Sequence, residues 1–347
     1  MNSKEQLEHM TAAARAALAD PARSTIVGES AMPRFELFHA ASSLCSQKVR
    51  AVLAEKGLDY RSNEMLILGA KGPDGVLVPA EHYHPAYVRL RLLAGRKQEL
   101  VFVKGFSGRT SVDSEGFDPC VVPLLVDHEA GLVIADSLRI CCYLDAVSPL
   151  PLQLLPDDPA RRGEVMRQAR IVDQIPNTAL LYGFHPDADL RPAPLRQVMA
   201  SVYEIKIESL QAMIDANPDD AELVAAYRVK IAKETGGMAA RRDAAFQRRA
   251  RTQLAGLLAD LERDLLAGAS PYLGGQGFSL GDLFWAVNLV RIAYLGQASL
   301  WQDLPTVSHY AAVLSKRPSI CREVIGATMA SLPPSVFLDA MLPCALV

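Results

Sequence analysis

No apolar run in this chain of 347 residues approaches the ~20 positions a helix needs to cross a bilayer; charges interrupt every stretch well before that. The first twenty residues are rich in alanine but carry Lys4, Glu5, Glu8 and Arg15, and they lack the continuous apolar core and cleavage pattern of a secretory leader. A membrane or exported protein is therefore not expected, and a cytoplasmic one is. The six cysteines, Cys45, Cys120, Cys141, Cys142, Cys321 and Cys344, show no disulfide-framework spacing, which suits free thiols in a reducing compartment. No Cys-x-x-Cys and no histidine pair stands at ligand spacing, so no metal site is expected. The net charge of −3 gives no sign of a nucleic-acid surface. The densest basic cluster, Arg241, Arg242, Arg248, Arg249 and Arg251, falls in a helical pattern and reads as a solvated face. No internal repeat is visible.

What is there suits a soluble globular protein: half of the residues are hydrophobic and 22% are charged. The length exceeds that of most single cores, and about two domains are expected. Residues 1–33 read as an appendage, one helix followed by a loop with Pro21, Gly28 and Pro33. From Arg34 the alternation of Phe35, Leu37 and His39 with Glu36 and Phe38 suits a strand. Candidate helix caps follow at Ser42–Ser46; Val49, Val52, Leu53 and Lys56 then recur at helical spacing, and Gly57 stops the helix. Tyr60–Leu68 completes a βαβ unit. Tyr83–Leu93 has helical character, and residues 94–119 read as an inserted loop with a short strand at Leu100–Val103. Two strands, Val121–Val126 and Leu132–Ile134, and a helix at Ser137–Leu144 close an α/β domain over 34–147. Pro149, Pro151, Pro156 and Pro159 mark a linker. Six helical patterns then fill 158–328 (161–174, 194–216, 221–235, 243–267, 279–295 and 305–317), leaving a tail at 329–347.

Three features suggest chemistry. Proline inside a strand cannot donate to the ladder, so Val122–Pro123 means either an edge strand or a cis bond. A cis bond turns the backbone of Val122 outward, where an extended peptide can pair with it. Asp136–Ser137 opens a helix, either as an ordinary N-cap or as a receiver for an α-amino-acid head group, with the helix start taking the carboxylate. Ser43-x-Cys45 stands where the first strand becomes the first helix. A helix N-terminus favours a thiolate, and a hydroxyl two residues earlier can hydrogen-bond a sulfur anion; simple packing accounts for an isolated cysteine equally well. Lys48 occupies the third position after Cys45, so any reducing thiol must come from outside the chain.

In this order, on this pattern of elements, the three features resemble the glutathione transferase superfamily over roughly 34–324. Phe278–Asp282 is similar to that family's helix-capping box, a folding device. The resemblance implies a thioredoxin-like N-terminal domain followed by an all-α domain, with glutathione as cofactor and a homodimer as the assembly. It implies a cis bond before Pro123, with Val122 beside the peptide, and a γ-glutamyl group held at Asp136 and Ser137. The segment Ser43–Lys48 resembles the active-site segment of the glutathione-dependent hydroquinone reductive dehalogenases, and Tyr87–Leu90, Ser111–Pro119 and Asp282–Val287 also resemble that group. Ser43 and Cys45 are then the catalytic pair: Ser43 supports the glutathione thiolate and Cys45 accepts a mixed disulfide. The partner is a small aromatic substrate, a chlorinated hydroquinone. Alternatives are β-aryl ether cleavage, simple conjugation, or a non-catalytic glutathione-binding scaffold. Tyr182 and Arg291, on helices that should face the thiol, are candidates for the ring's oxygens, although a packed, satisfied role explains both as well. His39 reads as a core histidine, and Cys141 and Cys142 as packing residues. His82, His84 and His185 read as surface residues.

Overall fold

The computed structural model describes residues 3–339, apart from 269, 274 and 276. The chain opens with α1 (Ser3–Ala16), β1 (Ser24–Val27), β2 (Phe35–His39), α2 (Leu44–Glu55) and β3 (Tyr60–Glu64). A small hairpin follows, β4 (Ala70–Lys71) and β5 (Leu77–Val78), then α3 (Pro85–Lys97) and α4 (Val112–Glu115). β6 (Leu124–Asp127), β7 (Leu132–Ala135) and α5 (Ser137–Val147) complete the first domain. Its five-stranded sheet runs β1-β3-β2-β6-β7, with β2 parallel to β3 and every other pairing antiparallel. Side chains alternate across it, as the pleat requires. Phe35, Leu37 and Leu125 join a core with α2 and α5, and Phe38, Leu124 and Val126 join a second core with α3 and α1.

The N-terminal segment corrects the expectation of a helix and loop lying apart from the domain. β1 adds an edge strand, Ser24–Val27 pairing antiparallel with Tyr60–Asn63. α1 packs its buried Leu7 and Ala14 into the second core, and Arg15 clamps the buried Glu36 at 2.8 Å. Asn63 and His128 also bond that carboxylate. Buried, a carboxylate prefers to be neutral; the His128 and Arg15 hydrogen bonds outweigh that and hold the pKa of Glu36 below its usual value.

The remainder is helical: α6 (Pro159–Val172), α7 (Asn177–Tyr182), α8 (Ala193–Met199), α9 (Val202–Asp215), α10 (Ala221–Arg242), α11 (Ala244–Ala267), α12 (Leu280–Tyr294) and α13 (Pro305–Ser315). Short turns follow at Pro318–Ile320, Cys321–Gly326, Ala327–Ser331 and Val336–Asp339. The single helix expected over 194–216 divides after Met199, and α10 runs a further two turns beyond its expected end. α12 is buried along its whole length and starts at the expected capping box, in which Ser279 and Asp282 bond reciprocally. It packs on α6, α13 and α2, so one apolar core runs through both domains. No helix among the described residues is long and apolar enough to cross a membrane. Cys45, Cys120, Cys141 and Cys142 are free thiols, and Cys344 lies outside the described residues.

Candidate active site

β2 ends at His39, and the chain turns through Ala40–Ser42 into α2. Ser43 is the N-cap: its extended backbone lets Oγ accept the Ser46 N–H at 3.3 Å, which leaves the hydroxyl hydrogen available to donate. Cys45 is the second residue of α2 and half-buried, within the reach of the helix N-terminus. On the next turn Lys48 is buried, bonded to Asp173 of the helical domain at 2.8 Å and lying over the Phe284 ring at 4.0 Å. Burial opposes its charge, but Asp173 and then the Cys45 thiol outweigh this and keep the pKa of Lys48 above its usual value.

Two cavities, of about 150 Å³ and about 110 Å³, meet at this turn. Ser43, Cys45, Ile67, Thr110, Thr178 and Tyr182 border both. The larger runs past Val121 and Val122, and the Val122–Pro123 bond is cis. The N–H and C=O of Val122 have no partner among the described residues, so an extended ligand can pair with them. Its far wall holds buried charge. Lys230 donates to Asp118 and Glu234, at 2.7 Å each; Lys233 pairs with Glu115 and Asp118; Lys206 reaches Glu234 at 3.1 Å. Burial disfavours the charges of Lys230 and Glu234, yet their neighbours prevail. The pKa of Lys230 lies well above its usual value, held there by Asp118 and Glu234, while that of Glu234 falls to about 2 under Lys206 and Lys230.

The smaller cavity is bordered by Leu181, Met199 and Leu332, and it holds Arg291. Arg291 is buried and donates to the Ser42 carbonyl at 2.6 Å, with no carboxylate partner among the described residues. Burial lowers its pKa. Tyr182 ends α7 between the two spaces, with the Lys206 ammonium 4.3 Å from its ring centre. The structure thus places Ser43, Cys45 and Tyr182 on the wall shared by the two cavities, with Val122 on the larger and Arg291 on the smaller. It sets Pro123, Asp136 and Ser137 outside both cavities. Asp136 is the N-cap of α5: Oδ1 accepts the Leu138 and Arg139 N–H groups, and Oδ2 accepts the N–H of Val112 from α4. Ser137 is the first helical residue and is buried.

The family model described as the N-terminal domain of glutathione S-transferase matches residues 42–147. A 2,5-dichlorohydroquinone reductive dechlorinase of Sphingobium indicum is 44% identical over 297 residues, covering 84% of this chain and 83% of that one. The chain belongs to the glutathione transferase superfamily, beside the hydroquinone reductive dehalogenases. A tetrachloro-p-hydroquinone reductive dehalogenase of Sphingobium chlorophenolicum is 25% identical, over 83% of this chain and 94% of that protein. Among solved structures, the β-etherase LigF of Sphingobium sp. strain SYK-6 superposes with a TM-score of 0.53 at 18% identity, over 84% of this chain and 98% of that one. Glutathione transferase F2 of Populus trichocarpa gives 0.52 at 15%, over 85% and 99%. These two similarities concern the fold alone.

Within this transferase fold, several residues of the site escape sequence reading. His82, expected at the surface, is buried and borders the larger cavity, its Nδ1 without a partner; burial and then Lys230 push its pKa down to about 3. His185, also expected at the surface, is buried under α7. Arg241, expected on a solvated face, is buried and bonds the Met199 carbonyl. A signal for the charged wall was present on α10: Lys230, Glu234, Gly237 and Arg241 repeat at helical spacing from Leu223 and Tyr227, so they share the buried stripe. His39 is a satisfied core histidine, bonded to Ser62 and Arg50.

Proposed function

We propose that the protein carries out glutathione-dependent reductive dechlorination of a chlorinated hydroquinone. The 44% identity to the Sphingobium indicum dechlorinase supports this reaction class. The observation that carries it is the place of Ser43 and Cys45 on the wall shared by two cavities. One offers the unpaired backbone of Val122 to a peptide, and the other offers Arg291 and an apolar surface to a ring.

Glutathione lies with its cysteine along Val122, beside Pro123, and its sulfur against the Ser43 hydroxyl, which donates to the thiolate. Its γ-glutamyl group is assigned to Asp136 and Ser137, beside the bond from the Val112 N–H to Asp136. The thiolate attacks the chlorine-bearing carbon, through a quinone-like or keto tautomer of the ring, and chloride leaves. Cys45 then attacks the sulfur of this adduct. The carbon–sulfur bond breaks, the ring carbon takes a proton, and a Cys45–glutathione disulfide remains. A second glutathione thiolate displaces Cys45 and leaves as glutathione disulfide. The two electrons that replace chlorine by hydrogen thus come from two thiols. Arg291 pairs with a phenolate oxygen, and Tyr182 donates to the other or packs on the ring. A cytoplasmic location, where glutathione stays reduced, and a homodimer are part of the same proposal.

Cys45→Ser separates the steps. With a chlorinated hydroquinone and glutathione, the variant is expected to release chloride and accumulate the glutathionyl-hydroquinone by mass spectrometry, without glutathione disulfide. Unchanged formation of dechlorinated product in the variant removes the thiol-exchange step.

A further inference from the structure

The larger cavity holds more charge than the reaction at its thiol end uses. Every lysine bordering it comes from the helical domain: Lys206 on α9, with Lys230 and Lys233 on α10. All three are at least nine-tenths buried. No lysine or arginine of the α/β domain borders this cavity. Lys230 and Lys233 each have two carboxylate partners, whereas Lys206 has one, Glu234, through Oε2, while Oε1 of the same carboxylate takes Lys230. An ammonium carries three N–H donors, and the rest of the Lys206 environment includes the faces of Tyr182 and Tyr203, 4.3 and 5.3 Å away. His82, on the same cavity, leaves Nδ1 unpartnered although nine-tenths buried. Burying polar groups without partners costs stability, and a ligand that supplies the partner removes that cost.

An extended peptide paired with Val122 sends its two ends to opposite sides of that residue. With the sulfur at Ser43 and Cys45 and the γ-glutamyl end toward α5, the other end falls on this charged wall. We propose that Lys206, supported by Lys230 and Lys233 and with His82 beside it, receives the glycine carboxylate of glutathione, so that the helical domain supplies the cation for this end of the cofactor. The assignment rests on the glutathione reading above. It also makes α9 and α10 part of the cofactor site.

Glutathione and its glycine monoethyl ester, titrated calorimetrically into the full-length protein, test this directly. The wild type is expected to bind the ester about tenfold or more weakly, the loss of one charge-assisted hydrogen bond. Lys206→Met is expected to weaken glutathione by a similar factor while binding the ester as the wild type does, and Lys206→Arg to restore the preference for the free acid. Equal affinity of the wild type for the two ligands overturns the assignment and leaves the glutathione reading intact. An equal loss for both ligands in Lys206→Met likewise overturns it. Failure of the wild type to bind glutathione at all sinks both.

Discussion

Arg291, buried, and Cys45, half-buried, are two kinds of reactive group, and the difference lies in their partners. Cys45 sits at a helix start that supports an anion, with the Lys48–Asp173 pair one turn away. Among the described residues Arg291 has a single hydrogen bond, to the Ser42 carbonyl, and burial disfavours its charge. A buried guanidinium without a carboxylate is costly in the empty protein, and replacing such a cation by an apolar side chain of similar volume is often neutral or stabilising. Arg291→Met is therefore expected to leave thermal stability unchanged or raised, and to increase KM for the hydroquinone by about ten- to a hundredfold, as loss of a charge-assisted hydrogen bond implies. Melting curves and steady-state kinetics check both halves. A sharp loss of stability with an unchanged KM assigns Arg291 instead to holding the Ser42 turn. The positions of Ser43, Cys45 and Val122 were legible in the sequence because their signals are local: a cap, a helix start, a proline at the entry to a strand. His82 was not, because the helical domain that packs over it, α9 first, lies far away in the chain.

At the scale of elements, the inserted segment does more than connect. The Gly108 carbonyl accepts the Thr178 N–H of α7 at 2.9 Å, Val112 donates to Asp136, Asp113 pairs with Arg139, and Glu115 and Asp118 hold the lysines of α10. The segment therefore fastens the α/β domain to α7 and α10 and forms part of both cavity walls through Thr110. Composition marked it as a loop, and its Ser, Gly and Arg gave no hint of these partners, which are distant in sequence. The edge strand β1 was hidden for a similar reason: its half-exposed alternation is short, and only pairing with β3 makes it a strand. The α10 charges did share a stripe with Leu223 and Tyr227, but that signal is weak, since lysine and glutamate at helical spacing ordinarily face water. Gly108 has φ +83°, and an added Cβ would lie 3.1 Å from the Ala179 side chain. Gly108→Ala is expected to destabilise the protein by about 1–2 kcal/mol, the cost of a left-handed backbone for a residue with a Cβ. It should raise the KM for glutathione and for the hydroquinone together, because both cavities share this wall; denaturant melts and initial rates read the two effects.

For the whole molecule, the charged wall is also the joint between domains, since Asp118 belongs to the first and Lys230, Lys233 and Glu234 to the second. Burial alone would raise the pKa of these carboxyls. The lysines reverse that, placing Glu234 at about 2 and Asp118 well below its usual value. An unfolded glutamate titrates near ~4.3, so the folded state binds its proton less readily than the unfolded chain does. The stabilisation is accordingly complete above that value and is lost as the pH falls from about 4 toward 2. Glu234→Gln leaves Lys206 and Lys230 short of a counter-charge and is expected to cost about 3–5 kcal/mol at pH 7, the penalty of breaking a buried pair. The variant can no longer lose this interaction by protonation. The gap between its denaturant midpoint and that of the wild type should therefore narrow as the pH is lowered from 5 to 3, with the wild type falling toward the variant. A gap that stays constant over this range would show that Glu234 is held by packing and that its charge does not fasten the two domains.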